Sequence, residues 1–133
     1  MGIGAGTERD MAIRVCERDI LDLALEFGIQ DYPHWASSDR RITAGDIDAA
    51  LRDGFLMPPD DARDPNLPMT AEQHAARVAW LVKHGDLDRV TVTVRGGRIV
   101  DGNHRFAACL HAGVEWIKCI VMDAPASQES LAA

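Results

Sequence analysis

Hydrophobic and polar positions divide this chain into a short series of elements. Val90, Val92 and Val94 alternate with Thr91, Thr93 and Arg95, a period of two that predicts a strand with one buried face. Gly96-Gly97 supplies a two-residue hairpin turn, and Arg98 to Asp101 returns as the partner strand. The run EWIKCIVM at 115–122 predicts one more strand, apolar enough to be buried on both faces. Helical spacing is clearest at Ala71, Ala75, Val78, Leu81 and Val82. That helix opens with the capping pair Thr70 and Gln73 and closes at Gly85. Thr43 and Asp46 start a second helix that ends at Gly54. RDILDLALEF at 18–27 predicts a third, closed by Gly28. Residues from Asn103 to Ala112 predict a fourth, with Phe106, Ala107 and Leu110 toward a core and Gly113 past its end.

Loops fall between these elements. DYPHWASSDRR at 31–41 is punctuated by Pro33 and two serines. MPPDDARDPNLP at 57–68 carries four prolines and must be extended or turning, because proline lacks a donor and disfavours helix before it. An organisational boundary is placed there. The expected fold is α/β (α+β), a small mixed sheet with flanking helices. Its expected parts are a flexible N-terminus at 1–10, an N-terminal helical extension at 11–57, a sheet-forming module at 58–123 and a flexible tail at 124–133.

Composition adds constraints. A chain of 133 residues, 47% hydrophobic and 26% charged, predicts one domain with a substantial core. No apolar run approaches the ~20 residues of a membrane span. The start MGIGAGTERD lacks the pattern of a secretory signal, so a cytoplasmic location is expected. MGIGAGT also lacks the preceding strand and the lysine of a phosphate-binding loop. Cys16, Cys109 and Cys119 are too widely spaced for a metal knuckle or disulfide framework and are expected as reduced, mostly buried thiols. The net charge is −7. Residues 1–66 hold 14 acids and 7 bases, and residues 67–133 hold 7 of each. Neither half is the basic footprint of a protein gripping a phosphate backbone. Strong non-specific DNA binding is therefore not expected.

The densest chemistry lies in IVDGNHRFAACLHAG, residues 99–113. A strand ends at Asp101, turns at Gly102 and begins a helix whose first turn carries Asn103, His104 and Arg105. A helix N-terminus offers unpaired N–H groups and partial positive charge. Gly102 lets a ligand approach the backbone. Arg105 adds a cationic fork suited to phosphate, and His104 can donate to an oxygen or shuttle a proton. Asp101 can bind Mg²⁺, meet a sugar hydroxyl or cap the helix. The local alternative is a plain turn, with Asn103 as N-cap. Cations in a first helical turn oppose the helix dipole, which favours an anion site.

IVDGNHRFAACLHAGV resembles the signature of the ParB/sulfiredoxin-like superfamily: a strand, an Asp-Gly-x-His/Arg turn, then an Ala-rich helix ending in Gly. The preceding helix, valine strand and hairpin follow the same order, so the resemblance spans roughly residues 58–122. It implies a ParB N-terminal type nucleotide-binding module at 58–123. Asp101, Gly102, Asn103, His104 and Arg105 would then lie at the phosphates of a nucleoside triphosphate or diphosphate, with Mg²⁺ as a possible companion. Members of that superfamily hydrolyse CTP, repair an over-oxidised cysteine with ATP, phosphorylate serine, or are assigned as nucleases. The resemblance thus implies an NTPase or phosphotransferase without fixing which. Asn103 stands where sulfiredoxins have their catalytic cysteine, which argues against that chemistry. The helix-turn-helix domain of a full ParB is not expected in the few residues after Met122. Candidate general bases are Asp60, Asp61, Glu72 and Asp101. His74 and Arg77 are expected on a solvated face, and Trp35, Trp80 and Trp116 as core or interface. Alternatives are a non-catalytic interaction domain, or a DNA-binding or nuclease module supported only by arginines near the hairpin.

Overall fold

The valine alternation and the double glycine form the hairpin they predict. In the computed structural model, which describes residues 12–60 and 66–123, β2 (Thr91–Arg95) and β3 (Arg98–Asp101) pair antiparallel. Gly96 and Gly97 join them with φ of 60° and 75°, the left-handed pair that a type I′ hairpin turn requires. The pairing shifts between Thr93 and Val94, so that Val94 faces Ile99 but Thr93 faces Asp101. This bulge inserts Val100 and re-aims the end of β3.

The largest departure from expectation is at the N-terminal side. Residues 18–27 predict one helix, and 11–57 a helical extension. Instead β1 (Ala12–Asp19) is an eight-residue strand, and α1 (Ile20–Glu26) starts only after it. β1 pairs antiparallel with β4 (Trp116–Asp123) from Ala12–Asp123 to Asp19–Trp116. The extension therefore supplies an edge of the same sheet. The alternating pattern Ile13, Val15, Glu17 against Arg14, Cys16, Arg18 lacks an apolar face of its own. The partner strand, not local periodicity, makes it a strand. The sheet order is β1-β4-β2-β3, with β2 and β4 parallel.

The remaining helices are α2 (Ala44–Asp53), α3 (Ala71–His84) and α4 (Asn103–Ala112). Thr43 and Thr70 both close the reciprocal capping boxes that their sequences predict. The protein is thus an α+β fold with a small mixed four-stranded sheet and flanking helices. Parts of the proline-rich boundary, at 61–65, and both chain ends predicted as flexible lie outside the described residues.

α4 is enclosed on two sides. Phe106, Ala107, Ala108 and Cys109 are all fully buried. Phe106 and Cys109 pack into a cluster with Val92, Val94, Ile117 and Cys119 of the sheet. Ala107 and Ala108 pack into a second cluster with Ala75, Val78 and Ala79 of α3 and Ile47 of α2. A helix apolar all round its middle is a buried helix, and alanines on the α3 side let the two backbones come close. Among the described residues, helices cover one face of the sheet only. Ile117, Cys119 and Val121 of β4 are buried, whereas Trp116 and Lys118 are exposed and Ile120 and Met122 half-buried. The expectation that β4 is covered on both faces is therefore corrected: its apolar run serves one core face and one face left open by the described residues.

The thiols are free, with Cys109 and Cys119 buried and Cys16 half-buried. Burial pushes the Cys109 thiol up to about 11, as expected of an inert core thiol.

Replacing Ala108 by Leu should overpack the α3–α4 contact and cost about 1–3 kcal/mol. The expected result is a lower urea midpoint with an unchanged slope. An unchanged midpoint would show that this contact is looser than it looks.

Candidate functional site

Three helices begin in the ordinary way. Asp19 caps α1, Thr43 caps α2 and Thr70 caps α3, each through a side-chain oxygen, and each helix has an acid in its first turn. α4 differs. Its cap is Gly102, in the left-handed region at φ 96°, with no side-chain hydrogen bond to the first turn and no acid there. The bland assignment of Asn103 as N-cap does not hold. Asn103 is the first helical residue, and its amide Nδ2 donates back to the Ile99 carbonyl at 3.3 Å. The first-turn N–H groups are thus left without a side-chain acceptor, and the carboxylate beside them, Asp101, is turned to Arg105 instead.

Gly102 is demanded twice over. Its φ is unfavourable for other residues, and a Cβ there would stand 3.0 Å from Arg105 Nη2 and 3.1 Å from Val92 Cγ1. The chain turns this tightly so that Arg105 can fold back over the turn. Arg105 Nη2 donates to Asp101 Oδ2 at 3.2 Å. Both side chains are well exposed, so the pair contributes at most about 1 kcal/mol. Its effect is orientation. Arg105 Nε is buried without a hydrogen-bond partner among the described residues.

His104 points to a different neighbour. Its Nε2 lies 2.8 Å from Nδ1 of His74 on α3. The ring centroids are 5.0 Å apart and the planes 24° from parallel. With so short an N–N contact, that spacing is of two rings side by side, not one over the other. Trp35 lies flat across both, at 4.3 Å from His74 and 4.6 Å from His104. His74 is only 4% exposed. The solvated face expected for His74 and Arg77 is corrected. His74 stands three residues after Ala71 and four before Val78, on the buried stripe itself, and α3 is packed between α2 and α4. Arg77 is half-buried, with Nε donating to the Met57 carbonyl at 3.1 Å.

Burial, then the neighbouring His74 and the Arg77 charge, lower the His104 pKa to about 3. His104 is therefore neutral at physiological pH and adds no charge to the first turn. Each neutral imidazole has one N–H and one lone pair, so one ring donates to the other and Nδ1 of His104 is what remains for a ligand.

His104 lines a cleft of about 250 Å³, whose other walls are Arg77 and Leu81 of α3, Pro59 and the rest of the 101–105 turn. The adjoining hollow, about 310 Å³, shares Leu81, Asp101 and Arg105 and extends over Thr91 and Thr93. The cleft carries two guanidiniums and one carboxylate, an excess of positive charge in a chain of net charge −7. Of the four candidate bases, only Asp101 lines it. Asp60 and Glu72 are exposed elsewhere, and Asp61 lies outside the described residues. A roomier groove of about 590 Å³ runs beside α1, but it is lined mainly by apolar side chains.

The segment 31–41 is fastened across this region at three points. Tyr32 Oη lies 2.8 Å from His111 Nδ1, and His111 Nε2 lies 2.8 Å from Asp48 Oδ1. Trp35 covers the histidine pair. Asp39 Oδ1 accepts from the Ala71 N–H at 2.7 Å, which holds its carboxyl below the usual range. Of the tryptophans, Trp35 is packed as expected, but Trp116 is 58% exposed at the start of β4. Among the described residues, no helix is long and apolar enough to cross a membrane. In comparisons with known proteins, no family model, no curated protein and no solved structure matches the chain.

The histidine pair makes a pH prediction. A histidine whose native pKa lies below the unfolded value of 6.5 binds its proton in the unfolded chain first. Stability should be full above about pH 6.5 and fall as pH drops toward about 3. Between pH 6.5 and 5, before most carboxylates titrate, the melting temperature of the wild type should fall more steeply than that of His104→Asn. Parallel profiles would mean that His104 is not held neutral.

Proposed function

We propose that the protein binds a nucleoside phosphate, with the phosphates at the start of α4. The observation that carries this reading is the uncapped first turn of α4, opening into a cleft that holds Arg77 and Arg105. An anion there would accept the unpaired N–H groups of Asn103, His104 and Arg105 and answer the dipole. Arg105, already held in place by Asp101, would bring a charge-assisted contact. An anion would also select the tautomer in which His74 Nδ1–H donates to His104 Nε2, so that His104 Nδ1–H serves as a neutral donor. That role fits His104 better than proton shuttling, since a group with a pKa of about 3 is a poor base near neutrality. The hollow over Thr91 and Thr93 gives the sugar and base somewhere to lie.

Among the described residues there is no group of three side chains suited to hold a metal ion by themselves. Asp101 fits the way Mg²⁺ is commonly bound, by one or two carboxylates together with the phosphates. Mg²⁺ would screen the phosphate charge, while Asp101 would then divide its oxygens between the ion and Arg105. Whether hydrolysis or transfer follows binding depends on an acceptor and a base, for which Asp101 is the carboxylate at hand.

The test is a melting-temperature panel with nucleoside mono-, di- and triphosphates, with and without Mg²⁺, followed by calorimetric titration of any that stabilise. A ligand at 100 times its Kd should add about 2.7 kcal/mol. Arg105→Ala should weaken binding roughly ten- to hundredfold, while the free protein loses little stability. If no nucleotide raises the melting temperature and Arg105→Ala destabilises the free fold by several kcal/mol, the turn is a structural tie and the reading fails.

Gly102→Ala separates geometry from charge. It should cost about 1–2 kcal/mol of stability from the backbone conformation alone. It should also displace Arg105, so nucleotide affinity falls although no charge is removed. Retained affinity would show that Arg105 does not need its folded-back position.

A further inference from the structure

The two edges of the sheet are built differently. β3 has four residues, is bulged against β2 and ends a hairpin flanked by Arg95 and Arg98, which are ordinary devices for keeping other strands off an edge. β1 is longer and unbulged, although it also carries the charges of Arg14, Glu17 and Arg18. Its eight residues pair in unbroken register with β4 and include no proline, lysine or bulge. Among the described residues, β4 and α1 are the elements that pack against it. The Ile20 N–H donates to the Glu115 carbonyl at 2.8 Å in the register of the ladder. The alternation of an antiparallel ladder then turns the backbone groups of Arg14, Cys16 and Arg18 toward β4 and those of Ile13, Val15 and Glu17 outward. The side chains of Ile13 and Val15 are 65% and 61% exposed.

We propose that β1 pairs antiparallel, across a two-fold axis, with β1 of a second copy of this chain, joining the two four-stranded sheets edge to edge. The charges on the strand choose the register. Opposed side chains must share a sheet face, so the axis must pass through a residue position. Centred on Arg14, it sets Arg14 against Arg14. Centred on Cys16, it sets Arg14 against Arg18. Centred on Glu17, it sets Glu17 against Glu17. Like charges directly opposite are destabilising. Centred on Ile13, the axis opposes no like charges but pairs only the first three residues of the strand, Ala12 to Arg14, with each other. Centred on Val15, it sets Val15 against Val15, Ile13 against Glu17 and Arg14 against Cys16, with no like charges opposed. Val15 is also an outward-bonding residue, so the two copies exchange both of its backbone hydrogen bonds.

The test is the mass of the full chain in solution by light scattering and sedimentation. The wild type should give twice 14.5 kDa in the micromolar range. Val15→Lys puts two cations on the axis and should give a monomer with unchanged circular dichroism. Ile13→Glu sets a carboxylate opposite Glu17 and should weaken the dimer, whereas Ile13→Lys should not. The two Ile13 variants should differ roughly two- to thirtyfold in dimer Kd, a contrast that a generic loss of apolar surface would not produce. A monomeric wild type, a dimer untouched by Val15→Lys, or equal effects of Ile13→Glu and Ile13→Lys would each overturn the proposal.

Discussion

The arrangement depends on one constraint: the middle of α4 is buried on both sides. Phe106 and Cys109 belong to the sheet core and Ala107 and Ala108 to the helical core, so the helix can neither rotate nor slide without opening one of them. Its N-terminus is thereby held at the end of β3. The bulge in β3 and the left-handed Gly102 follow, because the chain must leave the sheet and enter a buried helix within one residue. The first turn, not yet enclosed, is where Asn103, His104 and Arg105 can face a cleft.

The same constraint explains the histidine pair. α3 is pressed against the alanine side of α4, and His74 on its buried stripe meets His104 near the mouth of that contact. Two imidazoles that satisfy each other with one hydrogen bond can be covered by an indole without a charged group being buried. The lowered pKa of His104 is the electrostatic counterpart of that packing. Arg77 and Arg105 keep the positive charge, and they stand at the rim, where water or an anion can reach them.

Segment 31–41 acts as a strap over this junction. It has no regular structure, yet Tyr32 ties to the far end of α4, Trp35 to the histidines and Asp39 to the start of α3. It therefore reaches both ends of α4 and ties them to the start of α3. Asp48 can only accept, so a neutral His111 gives its Nε2–H to Asp48 and takes the Tyr32 hydroxyl proton on Nδ1, and burial, then Asp48 and Asp31, raise the Tyr32 pKa.

Much of this was legible locally. Both threonine capping boxes, the diglycine hairpin, the valine alternation and the helix from Asn103 depend on residues within a few positions of one another, and local chemistry determined them. The turn from Asp101 to Arg105 was legible for the same reason, as a glycine followed by cations at a helix start. What tertiary structure decided lies between elements. Residues 12–19 are a strand because β4 lies beside them, not because of their own pattern. β4 is open on one face because no described helix covers it. His74, Arg77 and Trp35 join the site because α3 and the strap are carried there by packing. Periodicity reports which way a side chain points on its own element, but not which element it will meet, since that depends on contacts between residues far apart in the chain.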